Sequence, residues 1–464
     1  MTSCSKIQAL PESLCKLMML RHLNLSYCVR LECLPSCFGD LQLQSLNIEG
    51  CFFNEDVADS ILNMSTLKIF ETTLAFDDSA YKVKELRENL KLEGFCELNG
   101  GSDDLCSRIT ELEETPCHEI NIQGLEDFNI LEGIKHAMLF NNLKLTKLDL
   151  GWRSVEHSNK VVQHHKAVLG MLMPPRSLRH LAIGGYYDIE FPKWMLEIRS
   201  YLPHLTTIKL VNLMECNRLP PLGCLPNLRT LFIANLPKLK SVGPEFYGDY
   251  GSCQKLRNIG FYRMENLEEW WTTRSSKQDN ELFLIPNLHA LYADDCPKLK
   301  FLPYPPRSMI WHVENSDHVL PEHGFGSLAS FAISLLVLFI TRATNSAETW
   351  RRAQHLSSIE NLRLESIAGL TTLPEAFQCF TSLQSLEIYE CGELETLPEW
   401  LGDYFTSLEK IFIRTCPLLS FLPESIQRLT ELESLWITDC PALSDKCRGE
   451  DRHKISHIPA VIFN

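Results

Sequence analysis

The chain has 464 residues, too many for one compact core, so several domains or one extended repeat array is expected. With 45% hydrophobic and 22% charged residues it has the balance of a folded soluble protein, which excludes a disordered chain. A net charge of −15 repels phosphate backbones and sets nucleic acid aside as a partner.

In chain order, Met1 to Lys6 runs straight into Ile7-Gln-Ala-Leu10-Pro11, with no apolar run of signal-peptide length. Without secretion the 18 cysteines are expected to be reduced and packed, and the glycosylation patterns at Asn24 and Asn63 carry no meaning. A frame of the form LxxLxLxxC spans Leu20 to Cys28 and returns from Leu43 to Cys51. Residues 67–142 keep this rhythm badly: Tyr81 to Leu92 is charged and reads as a helix, and Gly100-Gly101-Ser102-Asp103-Asp104 as an exposed loop. Looser copies begin at Leu145, Leu178, Leu205, Leu228 and Leu256. Between the first two, residues 152–176 read as a helical insertion that ends in a turn at Pro174-Pro175, with His164-His165 on its solvated face. Trp270-Trp271 is expected to pack between coils, and residues 272–281 form a polar loop.

The frame is whole again from Leu288 to Cys296, then degenerate over 301–358. Phe331 to Ile340 reads FAISLLVLFI, half the ~20 residues a membrane span needs, and is expected to be a buried strand or helix. A loose copy begins at Ile359. Three regular ones follow: Leu383-Gln-Ser-Leu386-Glu-Ile388-Tyr-Glu-Cys391, then Leu408 to Cys416, then Leu432 to Cys440. Between them sits a second block, at Leu370 to Pro374, Leu394 to Pro398 and Leu419 to Pro423, with an earlier copy at Leu31 to Pro35. Cys440, Cys447, His453 and His457 mimic zinc-ligand spacing, but Cys440 already belongs to a repeat, so no metal site is expected.

The alternation x-L-x-L-x is the period of a strand with one buried face. The proline of the second block cannot extend a ladder, so it opens a return arm. One coil cannot bury its own leucines, and coils must stack. The expected fold is therefore α/β: a leucine-rich repeat solenoid, or horseshoe, with short parallel strands on its concave face and irregular or short helical return segments. The cysteines at 28, 51, 296, 391, 416 and 440 fill the slot where many such repeats place asparagine, as small buried residues with a weak S–H donor. The segments expected are 1–75, N-terminal repeats with a truncated start; 76–145, irregular repeats or an insertion; 146–300, central repeats; 301–358, degenerate repeats; 359–446, regular repeats; and 447–464, a tail.

Several stretches resemble the leucine-rich repeat region of plant intracellular nucleotide-binding immune receptors, of the coiled-coil type found in cereals. They are Leu219 to Leu231 (LPPLGCLPNLRTL), Lys240 to Gly248 (KSVGPEFYG), Phe191 to Met195 (FPKWM), Gly449 to Pro459, and Ile120 to Glu126 with Leu148 to Trp152. The resemblance implies a sensor for pathogen effectors or for guarded host proteins that they alter, and a clamp on a nucleotide-binding domain in cis or in trans. It implies a cytoplasmic or nuclear location. It does not extend to nucleotide binding, since no GxxxxGK[ST] run is present. Leu10-Pro11 is already mid-coil, so the chain reads as a fragment, a truncated gene product or a gene model missing its start.

In x-L-x-L-x the x positions face outward. Their middle column runs Lys209, Phe232, Gly260, Tyr292, Arg363, Glu387, Phe412 and Trp436, and the next includes Tyr262, Asp294, Tyr389 and Arg414. Aromatic residues and arginine dominate binding energy at protein interfaces, so Lys209, Phe232, Tyr262, Tyr292, Arg363, Glu387, Tyr389, Phe412, Arg414 and Trp436 are the candidate partner contacts. The bland alternative is that aromatics simply favour strands. No nucleophile elbow, HExxH or dinucleotide fingerprint is present, so neither catalysis nor a cofactor is expected. Two other functions compete: a stand-alone adaptor such as a ubiquitin-ligase substrate receptor, which wants an F-box-like segment, and a secreted ectodomain, which wants a signal peptide and cysteine-paired caps.

Overall fold

A computed structural model describes residues 10–25, 31, 34–48, 61, 64, 66–67, 69–71, 95–101, 105–112, 117–128, 140, 143–153, 165–275, 281–322 and 335–463. The chain divides into two compact units, one built from residues 1–98, 104–121 and 142–145, the other from 99–103, 122–141 and 146–464. The expected helix at Tyr81 to Leu92 lies outside the described residues, as do Cys28 and Cys51.

In the first unit the strands His22–Asn24, Ser45–Asn47 and Ile69–Glu71 form a small parallel sheet. Leu23, Leu25, Leu46 and Ile48 turn inward from it and bury against Leu14, Leu31, Phe38 and Leu41. The short 3-10 helices Glu12–Lys16 and Phe38–Asp40 form two return arms. One expectation fails here. Cys15 and Cys37 are bonded to each other, so the thiols are not all reduced. The two cysteines sit 22 residues apart on successive return arms, and stacking brings their Cα atoms to 6.0 Å.

The second unit carries the long parallel sheet. It runs from Lys147–Gly151 through His180–Gly184, Thr207–Val211, Thr230–Ala234, Asn258–Tyr262, Ala290–Asp294, Ile310–Glu314, Val337–Thr341, Asn361–Glu365, Ser385–Tyr389, Lys410–Arg414 and Ser434–Thr438 to Ala460–Phe463. Every neighbouring pair is in register, so equivalent positions form straight columns. One inward column reads Ile208, Leu231, Ile259, Leu291, Trp311, Leu338, Leu362, Leu386, Ile411 and Leu435, and all of these are buried. Each such side chain contributes roughly 1.5–3 kcal/mol by leaving water, which it can do only with a coil on either side. This is a leucine-rich repeat fold.

The strands from His180–Gly184 to Ser434–Thr438 all end the same way. The residue after each adopts a left-handed backbone: Gly185, then Asn212, Asn235, Arg263, Asp295, Asn315, Arg342, Ser366, Glu390, Thr415 and Asp439. At Gly185 a side chain is impossible, since a Cβ would lie 2.0 Å from the carbonyl oxygen of Trp152. From Asn212 to Thr415 each of the others still donates its N–H to the last carbonyl of the next strand, at 2.8–3.0 Å. The ladder thus gains one rung while the chain turns out of the sheet. Two residues beyond the strand, the cysteine slot closes the turn. The Cys416 N–H donates to Cys440 Sγ at 3.2 Å, and the Cys440 thiol donates to the Thr438 carbonyl at 3.3 Å. In one coil without the cysteine, Ser316 fills the same post: its hydroxyl takes the Cys296 N–H at 2.8 Å and donates to the Glu314 carbonyl at 2.6 Å. Burial pushes the Cys296 thiol up to about 12, as fits a packed donor that stays protonated.

Return arms follow the prolines. Pro374 precedes the 3-10 helix Glu375–Cys379, and Pro423 precedes Glu424–Arg428. Trp270 is buried against Phe246 and Phe261, donating to Tyr247 Oη at 3.1 Å. The insertion after Trp152 contains the helix His165–Met171, but His165 does not face solvent. It is buried and stacked on Trp152 with ring centroids 5.3 Å apart. The polar segment at 272–281 is bounded by an antiparallel pair, Thr273–Ser275 with Glu281–Phe283. The stretch 301–358 contains two regular strands, one of them Val337–Thr341 within the apolar run. The last residues hold the helix Pro441–Arg448, a 3-10 helix and the closing strand.

Candidate functional site

The outward face of the long sheet is where the structure places every candidate contact. Cross-strand register aligns Lys209, Phe232, Gly260, Tyr292, His312, Phe339, Arg363, Glu387, Phe412, Trp436 and Ile462 in one column. A second column carries Tyr262, Asp294, Glu314, Thr341, Glu365, Tyr389, Arg414 and Thr438. His312 and Phe339 complete the first column, and sequence reasoning missed them. Their signal was the alternation Trp311-His-Val313 and Leu338-Phe-Ile340, hidden by Trp311 in an aliphatic post and by the continuous apolar run Phe331 to Ile340.

These side chains pack along the column rather than standing alone. Lys209 Nζ lies 5.3 Å above the Phe232 ring, and Phe232 meets Tyr262 at 4.6 Å. Tyr262 lies across Gly260, where a Cβ would come within 2.6 Å of its ring. Tyr292, His312 and Phe339 form a stack with centroids 4.6 and 4.3 Å apart. Arg363 follows, with its guanidinium 4.9 Å from the ring of Phe339 and 4.9 Å from that of Tyr389. Its Nη2 pairs with Glu387 Oε2 at 2.6 Å. Phe412 and Trp436 make the last pair, 5.9 Å apart.

Packing along the column changes the exposure expected from sequence. Phe232, Tyr262, Tyr292 and Glu387 are buried, because neighbours in the same column cover them. Lys209, Arg363, Tyr389 and Phe412 are half-buried, and Arg414 is exposed. Trp436, at 38% of its surface, is the one aromatic of the column that stands well clear among the described residues. The exposed part of the column therefore lies mainly in the C-terminal coils.

Charge follows the second column and the turn beside it. Arg342 Nη2 is 2.5 Å from Glu314, 3.4 Å from Asp294 and 3.7 Å from Asp295. Burial holds the Glu365 carboxyl above the usual carboxylate range; Arg363 opposes this, while Glu390 and Glu387 add to it. Burial and the Arg363 charge push His312 down to about 3, so it is neutral at physiological pH. No step of acid–base or nucleophilic chemistry is suggested by these contacts. They stack rings and pair charges on a rigid sheet, which is what a recognition surface needs.

Comparison with known proteins agrees with the repeat architecture. The R13L1/DRL21 LRRs family matches residues 109–236. A putative disease resistance RPP13-like protein 1 of Arabidopsis thaliana is 26% identical over 57% of this chain and 26% of its own length. The putative disease resistance protein RGA1 of Solanum bulbocastanum is 28% identical over 62% of this chain and 27% of its own. The chain thus spans about a quarter of the length of these relatives. Among solved structures, a Leptospira interrogans leucine-rich repeat protein covers 76% of the chain and 91% of itself, at 17% identity and a TM-score of 0.30. Among the described residues no helix is long and apolar enough to cross a membrane. The chain is a leucine-rich repeat protein similar to the repeat region of plant disease resistance proteins.

Proposed function

We propose that this chain, with repeats similar to those of plant disease resistance proteins, serves plant defence as a non-catalytic recognition module. It takes a protein partner on the outward strand face: a pathogen effector, a host protein that an effector alters, or a nucleotide-binding domain in cis or in trans. The cytoplasm or the nucleus is the expected place of action. The observation that carries this reading is the column itself. It presents aromatic and guanidinium groups at fixed strand spacing on a sheet whose other face is a packed core.

The test is a pair of truncations at the exposed end. A panel of effector and host proteins is assayed against the chain by surface plasmon resonance. Phe412→Ala with Trp436→Ala should weaken a bound partner by tenfold or more, roughly 1.4 kcal/mol or above, with an unchanged melting curve. Undiminished binding, or a collapse of stability, would remove these side chains from the recognition surface.

A further inference from the structure

Two of the protein's own arginines reveal how the outward face holds a guanidinium. Arg342 is clasped by Glu314, Asp294 and Asp295. Arg363 is held between two rings and anchored on Glu387. The following coils bring together a smaller acidic pair, Glu365 and Glu390, on which Arg363 and Arg414 act at a distance. Glu365 stands in the same column as Asp294 and Glu314. It is half-buried, and its carboxylate makes no hydrogen bond or ion pair among the described residues. Beside it, the Glu390 carboxylate accepts from the Ser366 hydroxyl at 3.0 Å and is otherwise exposed. The basic group nearest the far end, Arg414, already lies 4.0 Å from Asp439. Burial is the main reason the Glu365 carboxyl is raised, and Glu390 and Glu387 add to it while Arg363 and Arg414 only partly offset it.

We propose that the face between Glu365 and Trp436 docks an extended basic segment of a partner protein. One arginine of that segment sets its guanidinium against Glu365 and Glu390, and an aromatic or aliphatic side chain rests on Phe412 and Trp436. This rests on the reading of the strand face as a protein-binding surface. Arginine fits better than lysine, because its planar fork suits two carboxylates and stacks on rings, as Arg363 does. Three strand steps separate Glu365 from the Trp436 strand, roughly 14 Å at about 4.8 Å each. An extended chain covers that in about four residues at ~3.3 Å per residue. The arginine and the apolar residue should therefore lie about four positions apart.

The test uses the full chain and a fluorescein-labelled peptide with arginine and phenylalanine four positions apart in a glycine–serine background. It is compared with the same peptide carrying citrulline for arginine, or alanine for phenylalanine. Anisotropy titrations should give at least fivefold weaker binding for each altered peptide, and affinity should fall with added salt. Glu365→Gln with Glu390→Gln should abolish the preference for arginine over citrulline, and Trp436→Ala the preference for phenylalanine. The citrulline comparison is made on the unaltered chain, so it does not depend on how any variant folds. No binding up to millimolar peptide, or equal binding of arginine and citrulline peptides, overturns the proposal. So does a charge preference that survives the glutamine variant, or stronger binding of a labelled RNA oligomer. A protein partner that needs Trp436 but is indifferent to Glu365 and Glu390 would overturn the basic-segment assignment alone and leave the recognition reading standing.

Discussion

His312 sits at the centre of the ring stack, and its neutral state has a measurable consequence. Its pKa is pushed down to about 3 by burial and by Arg363, whereas in an unfolded chain it returns to about 6.5. Below about pH 6.5 the unfolded state binds the extra proton. Stability from this residue is therefore complete above that pH and is lost as pH falls toward 3. His312→Phe preserves the stack and cannot take a proton, so its melting temperature should fall less steeply between pH 6.5 and 4 than that of the parent. Parallel melting curves for the two proteins would show that His312 is solvated. The same residue marks where sequence reading stopped. The middle column was legible at Lys209, Phe232, Tyr292, Arg363, Glu387, Phe412 and Trp436 because each lay between two aliphatic residues. His312 was hidden by Trp311 in an aliphatic post, and Phe339 by the continuous apolar run Phe331 to Ile340, in which no alternation shows. Burial of Tyr292 and Phe232 was not legible at all. It depends on neighbours about twenty to thirty residues away, which register alone brings within ring contact.

At the scale of one coil, the left-handed residue after the strands from His180 to Thr438 is the shared geometry, and the sequence meets it with unequal success. Asparagine and aspartate tolerate it, as at Asn212, Asn235, Asn315 and Asp439. Thr415, with φ 53°, does so at a cost, because a β-branched side chain crowds the following carbonyl. Thr415→Gly should stabilise the C-terminal coils by about 0.5–1 kcal/mol in urea unfolding, since the strain removed exceeds the added freedom of the unfolded chain. A loss of stability would mean that the Thr415 side chain holds something the strain argument omits. The strand itself was plain from sequence wherever the alternation was aliphatic. The turn was not, because ten different coils solve it with asparagine, aspartate, arginine, serine, glutamate or threonine. The closing slot was readable as a role for cysteine; Ser316 takes over its hydrogen bonds in one coil, and Leu213, Leu236, Met264, Ala343 and Ile367 fill it with apolar bulk in others. His165 misled for the opposite reason: a histidine pair on a short helix reads as solvated until Trp152 is seen to cover one of them.

For the whole molecule, energy is laid down coil by coil. Leu435 is fully buried between Ile411 and Val461 in neighbouring strands. Leu435→Asp places an unpaired charge there, at a cost of more than about 3 kcal/mol, which the end coils cannot absorb. Limited proteolysis should then cut within residues 410–463 and leave the coils from 180 to 294 resistant, because each coil is supported only by its neighbours. Uniform cleavage along the chain would mean that stability is shared globally rather than passed between adjacent turns. The repeat as a whole was the most legible level, since one alternation recurring along the chain admits few other solutions. The bond between Cys15 and Cys37 was the least, because a pairing across coils depends on which return arms come to lie side by side. The shared exit from the strands between His180 and Thr438 has one more effect. Since each coil leaves and re-enters the sheet in phase, a stretch copied or deleted from one left-handed joint to the next keeps every remaining leucine pointed at the core. Unequal recombination at those joints would yield foldable offspring with an altered outward column, so new specificities can be shuffled into this scaffold without redesigning it.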